Sequence, residues 1–73
     1  MNDPEEPELE EIVRLTSPVQ DAIEVTLAEA VRIIMREPLP LKRRSYMVMR
    51  RGRRPLTHRE IVAISRRLDA REN

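Results

Sequence analysis

The chain must build its core almost without aromatic side chains, the largest apolar groups that a protein core can use. Tyr46 is its only aromatic residue, and its remaining apolar residues are Leu, Ile, Val, Ala and Met. It has 73 residues and no cysteine, so neither a disulfide framework nor a thiolate metal site supplements that core. Chains of this size bury only roughly 60% of their unfolded surface and are marginally stable. We therefore expect one small aliphatic core whose stability depends on a partner protein or on a second copy of the chain.

The total charge of +1 conceals an acidic half and a basic half. Residues 1–37 hold ten carboxylates and three arginines, a net charge of −7, whereas residues 38–73 hold eleven basic and three acidic residues, a net charge of +8. Residues 1–8 combine like charges with two prolines and offer almost nothing to bury, a composition typical of disorder. We expect a disordered acidic tail over 1–8 and a single domain over 9–73.

Ser17 followed by Pro18 is typical of a helix start, because Ser caps free amides and Pro suits the first helical position. The spacing of apolar residues then predicts a helix over 18–36. Pro38 and Pro40 end it, since neither has an amide donor. Its apolar face, which spans about half of the circumference, is wider than one packed neighbour needs. That face consists of Val19, Ala22, Ile23, Leu27, Ala30, Val31, Ile33 and Ile34.

The segment 41–51 has two interpretations. As a helix, it places Leu41 and Val48 on one face, with Gly52 as the left-handed residue after its end. As a strand, it makes Val48 alternate with Met47. The chain offers no second strand candidate, so a strand would need to pair with another molecule. The helix is therefore preferred.

The last element has the clearest start. Thr57 and Glu60 form a capping box, and Leu56 is placed to pack on Ile61 as a hydrophobic staple, so the pattern predicts a helix over 58–71.

Together, these patterns predict an all-α fold, a small bundle of three principal helices at about 18–36, 41–51 and 58–71, with a short additional helix near 8–15. The expected core consists of Ile23, Leu27, Ala30, Ile34, Leu41, Val48, Ile61, Ile64 and Leu68.

The residues that catalysis requires are scarce. His58 is the only imidazole, the carboxylates cluster in the acidic tail, and Gly52 alone cannot form a phosphate-binding loop. We expect no enzymatic activity, no cofactor and no bound metal. No apolar run approaches the roughly 20 residues that span a bilayer, and the N-terminus is acidic where a signal peptide would be basic. A cytoplasmic protein without membrane contact is therefore expected.

The strongest functional signal is the basic segment from Lys42 to Arg54, whose charge density favours partners that carry carboxylates or phosphates. Two partner classes remain possible. The first is a protein that binds the apolar helix face and the arginines next to it, and the second is nucleic acid whose phosphates these arginines bind. The candidate partner-binding residues are Val19, Ile23, Leu27, Val31, Arg43, Arg44, Tyr46, Arg50, Arg51, Arg53 and Arg54. Additional candidate nucleic-acid contacts are Arg59, Arg66 and Arg67.

Two resemblances bear on these classes. Leu56, Thr57, Arg59 and Glu60 give Leu-Thr-x-Arg-Glu, which resembles the start of the first helix in the DNA-binding domain of LuxR-type regulators. In size, Arg-rich composition and lack of catalytic residues, the whole chain is similar to the small antiactivators that silence transcriptional activators on bacterial mobile elements. This second resemblance implies a bacterial regulatory protein that sequesters a transcriptional regulator and does not touch DNA. The residue pattern itself favours binding through an apolar helix face and an Arg-rich rim. The alternative is a DNA-binding accessory or transcription factor.

Overall fold

A computed structural model of the chain describes residues 8–72 and has an α+β fold. Its elements, in chain order, are β1 (Ile12–Ser17), β2 (Gln20–Thr26), α1 (Leu27–Arg36), α2 (Pro40–Ser45), β3 (Met47–Met49) and α3 (His58–Glu72). The strands form one antiparallel sheet in the order β2-β1-β3. The prediction of an all-α bundle is therefore wrong.

The segment predicted as a short helix near 8–15 contains instead the first part of the central strand. Val13 and Leu15 are buried and alternate with exposed residues, the period of a strand with one buried face. Because β1 lies between the other two strands, both of its edges have partners. The expected disordered tail lies outside the described residues except for Glu8, which is exposed and whose carbonyl oxygen accepts the N–H of Glu11.

The helix predicted over 18–36 is wrong in its first half. Residues 18 and 19 form the turn of a hairpin, and the chain returns as β2, with Ile23 opposite Leu15. Pro18 suits a turn as well as a first helical position, so it did not distinguish the two structures. The β-branched residues of β2 gain a paired, pleated surface against β1, and this tertiary pairing overrides their helical spacing.

The helix α1 begins only at Leu27, because Thr26 is its N-cap. The Thr26 side chain accepts the N–H of Glu29 at 3.2 Å. The predicted end at Arg36 is confirmed, and the N–H of Glu37 donates to the carbonyl oxygen of Ile34 just before the prolines.

The segment 41–51 contains both a helical part and a strand, so each of its two interpretations is correct for one part. The short helix α2 ends at Ser45, so the helix prediction is wrong beyond that residue, and the strand β3 follows. Its partner is β1 of the same chain, where Val48 lies opposite Leu15, and no second molecule is required. Gly52 has the expected positive φ of 70°, but it lies in a turn after β3 and does not follow a helix.

The last helix is confirmed, with bounds at His58 and Glu72. Its capping box is formed as expected. The N–H of Glu60 donates to Thr57 Oγ1 at 3.2 Å, and the N–H of Thr57 donates to Glu60 Oε1 at 3.1 Å.

The core lies between one face of the sheet and the helices, with α1 packed on β1, β2 and α3. The prediction that Leu41 and Ile23 are buried in the core is wrong. Leu41 is 84% exposed on α2, which has no buried residue, and Ile23 is 41% exposed at the sheet edge. The other seven expected core residues are buried. The complete core consists of Leu9, Val13, Leu15, Leu27, Ala30, Val31, Ile34, Val48, Leu56, Ile61, Ile64 and Leu68.

Candidate interaction surface

The sheet has a second face that points away from the core, and we call it the outer sheet face. Residues directly opposite each other on paired strands share a face. Arg14 lies opposite Glu24 on one side and Met49 on the other, and Thr16 lies opposite Met47. Ile12 likewise lies opposite Thr26, so the outer sheet face contains Ile12, Arg14, Thr16, Glu24, Thr26, Met47 and Met49.

Three of these residues are large, apolar and exposed. Ile12 is 57% exposed, Met47 is 48% exposed and Met49 is 38% exposed. Met47 and Met49 are two residues apart on β3 and therefore share a face. Ile12 is two residues from Arg14 on β1, and Arg14 lies opposite Met49, so Ile12 is on that face too. Clustered apolar exposure of this kind marks interaction sites, and unbranched Met side chains adapt to the shape of a partner.

A groove of about 580 Å³ runs along this face. Its apolar walls come from Ile12, Val13 and Met49, and Arg14, Glu24, Arg50 and Arg51 provide charged walls. Small grooves that combine apolar walls with a few charged groups suit the side chains of a binding partner.

Arg50 and Arg51 are adjacent in sequence but differ in environment. The Arg50 side chain is only 7% exposed, and its Nε and Nη2 donate to the two Glu11 carboxylate oxygens at 2.7 and 2.9 Å. These hydrogen bonds lower the pKa of Glu11 and raise the pKa of Arg50. Arg51 is exposed and forms no ion pair within residues 8–72. Arg50 is thus a fixed wall of the groove, whereas Arg51 offers a charge to a partner.

Arg14 and Glu24 form an ion pair across the outer sheet face. Arg14 Nη2 lies 3.7 Å from Glu24 Oε1, and the two side chains are 60% and 69% exposed. Exposed pairs with this geometry contribute little to stability. Both charges therefore stay accessible to a partner that binds in the groove.

Arg54 is held by the start of α3. Its Nη1 and Nη2 donate to Glu60 Oε1 and Oε2 at 2.6 and 3.2 Å. Together with the backbone N–H of Thr57, these bonds lower the pKa of Glu60 to about 2. Arg54 therefore extends the capping box, and the Glu60 carboxylate largely neutralises its charge within the chain.

The apolar candidates from the sequence do not form one surface. Val19 is exposed in the hairpin turn, and Ile23 lies on β2 at the sheet edge. Leu27 and Val31 are fully buried in the core and offer no surface to a partner in this structure. These four residues share no helix face, because the predicted helix is split into a strand and α1.

The other basic candidates differ in accessibility. Arg43 donates from Nε and Nη2 to the carbonyl oxygen of Glu37 at 3.0 and 2.6 Å, and Lys42 Nζ lies 3.7 Å from Glu37 Oε2. Arg44 on α2 is exposed, as is Arg53 in the turn after β3.

The remaining candidates lie on other parts of the fold. Tyr46 is half-buried against the core. On α3, Arg59 and Arg66 are exposed and Arg67 is half-buried. Of all the candidates from the sequence, the structure brings Arg50 and Arg51 into the groove.

Sequence reasoning missed Ile12, Arg14, Met47 and Met49 as surface residues. The signal was present, because Ile-Val-Arg-Leu-Thr over 12–16 alternates an inward apolar residue with an outward residue. Met47, Val48 and Met49 repeat the same alternation on β3.

Among residues 8–72, no group of three or more His, Cys, Asp or Glu residues is arranged to hold a metal ion. None of the helices in that part of the chain combines the length and apolar character needed to cross a bilayer.

Comparison with protein families, curated proteins and solved structures gives no significant match to this chain.

Proposed function

We propose that this chain is a protein-binding module whose outer sheet face takes up an apolar segment of a partner protein. Arg14 within that face and Arg51 in the lining of its groove would pair with carboxylates of the partner. The resemblance to antiactivators implies that the partner is a bacterial transcriptional regulator, whose activity the bound module would silence.

The observation that carries this proposal is the exposure of Ile12, Met47 and Met49 on a face that the core does not use. Each is large and apolar, and water contacts a substantial part of each side chain. Removing such side chains from water contributes a favourable free energy of roughly 25 cal/mol per Å² of apolar area, part of which offsets the cost of association. Exposed Met side chains beside Arg side chains are typical of protein interfaces, in which both residue types are enriched.

The internal ion pairs favour a protein over nucleic acid as the main partner. Within the basic segment, Arg50 and Arg54 are paired with carboxylates, Arg43 is bound to a carbonyl oxygen, and Lys42 lies near Glu37. These bonds reduce the number of charges that could neutralise phosphates, because a group already held by a carboxylate has less to gain from another anion.

The test is affinity capture with the full chain from an extract of the source organism, followed by measurement of affinity for the captured protein. Ile12→Glu and Met49→Glu each introduce a charge into the outer sheet face, and each should weaken binding at least tenfold. Leu41→Glu is the matched control, because Leu41 is exposed on α2, outside the lining of the groove. Loss of binding in the control but not in the two outer-face variants would contradict the proposal.

Nucleic-acid binding is the second candidate, and one observation favours it. Arg44, Arg51, Arg53, Arg59 and Arg66 are exposed and form no ion pair with any residue between 8 and 72. A gel-shift titration with duplex DNA at two salt concentrations tests this function. Each phosphate contact contributes about −0.9 to the slope of log affinity against log salt concentration. Tight binding at physiological salt whose slope falls by about one in Arg51→Ala would favour DNA over a protein partner.

A further inference from the structure

The two edge strands of the sheet, β3 and β2, differ in whether their outward backbone groups have a partner. At the β3 edge, the N–H of Leu56 donates to the carbonyl oxygen of Val48 at 3.1 Å and forms an isolated antiparallel bridge. Pro55 precedes this bridge and has no N–H to extend it. At the other edge, β2 spans seven residues and pairs only with β1 among the residues that the structure describes. The sheet therefore has one covered edge and one open edge.

The hydrogen bonds of the hairpin determine which groups face the open edge. The N–H of Leu27 donates to the carbonyl oxygen of Glu11 at 2.7 Å, which makes these two residues a hydrogen-bonded pair that continues the register of β1 and β2. Hydrogen-bonded and non-hydrogen-bonded pairs alternate along an antiparallel ladder. The backbone groups of Val25 and Ile23 therefore point toward β1.

The backbone groups of Ala22, Glu24 and Thr26 consequently point outward, away from β1. Their N–H groups and the C=O groups of Ala22 and Glu24 form a row that a further strand would satisfy. The C=O of Thr26 is not part of this row, because Thr26 is the N-cap of α1 and its C=O accepts the first hydrogen bond of that helix.

We propose that β2 pairs antiparallel with β2 of a second copy of this chain and joins the two sheets into one six-stranded sheet. The register with the largest overlap is centred on Ile23, so that Ala22 lies opposite Glu24 of the second copy. This register places outward-pointing backbone groups opposite each other, as hydrogen bonding requires. A single open edge that pairs with itself gives a closed two-fold dimer and not a filament.

The charges on β2 are compatible with this register. Asp21 lies opposite Val25 of the second copy, and Glu24 lies opposite Ala22, so no two carboxylates are directly opposed. Glu24 also has Arg14 at 3.7 Å within its own chain. A register that placed Glu24 opposite Glu24 would set like charges directly against each other, which destabilises a strand pair.

Ile23 gives the second copy an apolar contact at the two-fold axis. It lies on the same face as Leu15, but it is 41% exposed, because the helices cover the edge of the sheet incompletely. In the proposed dimer the two Ile23 residues form a non-hydrogen-bonded pair, in which side chains approach most closely. Each would then cover the exposed part of the other.

The oligomeric state of the full chain tests this proposal. Size-exclusion chromatography with light scattering should give twice the chain mass of 8.6 kDa. Ile23→Glu opposes two carboxylates at the two-fold axis and should give monomers with an unchanged circular dichroism spectrum. Val19→Glu is the matched control, because Val19 is 79% exposed in the hairpin turn, and it should stay dimeric. A monomeric wild-type chain, or a dimer that persists in Ile23→Glu, would overturn the proposal.

Charge complementation gives a sharper readout. Ile23→Lys should also be monomeric, whereas an equimolar mixture of Ile23→Lys and Ile23→Glu should form a heterodimer, because opposite charges then face each other. A mixture that stays monomeric while both variants are folded would exclude Ile23 from the axis.

The register is tested by a single introduced thiol, since the chain has no cysteine. With diamide as oxidant, Ile23→Cys should form a disulfide-linked dimer rapidly, because the two Cβ atoms are close in a non-hydrogen-bonded pair. Glu24→Cys should react more slowly, since its direct neighbour is Ala22 of the second copy. Faster cross-linking of Glu24→Cys would overturn this register.

The dimer is centred on Ile23 at the β2 edge, whereas Ile12, Met47 and Met49 of the outer sheet face lie on β1 and β3. Glu24 is the residue that both surfaces share. Ile12→Glu should therefore reduce partner binding and leave the dimer intact, and Ile23→Glu should have the opposite effect. These two variants separate a failure of the dimer from a failure of the proposed function.

Discussion

Val13 and Leu15 point into the core and are almost fully buried, whereas Ile12, on the opposite face of the same strand, is 57% exposed. Met47 and Met49 on β3 likewise flank the fully buried Val48. The inner face is apolar because the core requires it. The outer face is partly apolar although it points away from the core, so packing of the core alone does not account for those exposed side chains. The comparison teaches that alternate residues of one strand can build the core and leave an apolar surface in contact with water.

Shortening a side chain on each face should give the largest difference. Leu15→Ala opens a cavity in the core and should reduce the free energy of unfolding by about 2–5 kcal/mol, which is severe for a chain with so small a core. Ile12→Ala on the outer face should change it by less than about 1 kcal/mol. Urea denaturation followed by circular dichroism measures both values. Equal losses would mean that the outer face is covered in solution, for instance by a second copy.

Arg50 and Arg51 extend the comparison to charged residues. Arg50→Met leaves the Glu11 carboxylate without its two charged donors and should reduce the free energy of unfolding by about 1.5–3 kcal/mol. Arg51→Met removes an exposed charge and should change it by no more than about 0.5 kcal/mol. Thermal unfolding of the two variants under identical conditions is the measurement. If Arg51→Met proved the more damaging, Arg51 would have a structural role that its exposure does not indicate.

A smaller destabilisation than that of Leu15→Ala or Arg50→Met is expected on the helix side of the sheet, at the capping box of α3. Because the folded-state pKa of Glu60 is lowered from 4.5 to about 2, its carboxylate stabilises the fold above about pH 4.5 and loses this effect as the pH falls toward 2. Glu60→Gln should cost about 1 kcal/mol at neutral pH, a modest value because Arg54 is exposed.

The difference in melting temperature between wild type and Glu60→Gln should therefore shrink steadily as acid protonates Glu60. Acid also weakens the Glu11 pair, but it does so in both proteins, so the difference isolates Glu60. A difference that is independent of pH would exclude the lowered pKa as its cause.

Sequence alone determined the elements whose signals are local. Thr57 and Glu60 marked the start of α3, and Pro38 and Pro40 marked the end of α1. Each of these signals acts within one turn of a helix, where hydrogen bonds join residues about four positions apart. Thr26 and Glu29 have the same spacing as Thr57 and Glu60 and lie at the true start of α1, but the apolar spacing over 18–36 favoured an earlier start.

The tertiary structure decided the sheet. The hydrogen-bond partners of a strand lie elsewhere in the chain: Leu15 is opposite both Ile23 and Val48, and the second of these is 33 residues away. Nothing within β1 or β3 alone reveals that partner, so the short alternating segments 12–16 and 47–49 were too weak to predict a sheet. The outer sheet face, and with it the candidate interaction surface, exists only once the three strands are paired. The sequence by itself therefore determined where α1 ends and where α3 begins, and strand pairing decided which apolar residues remain exposed.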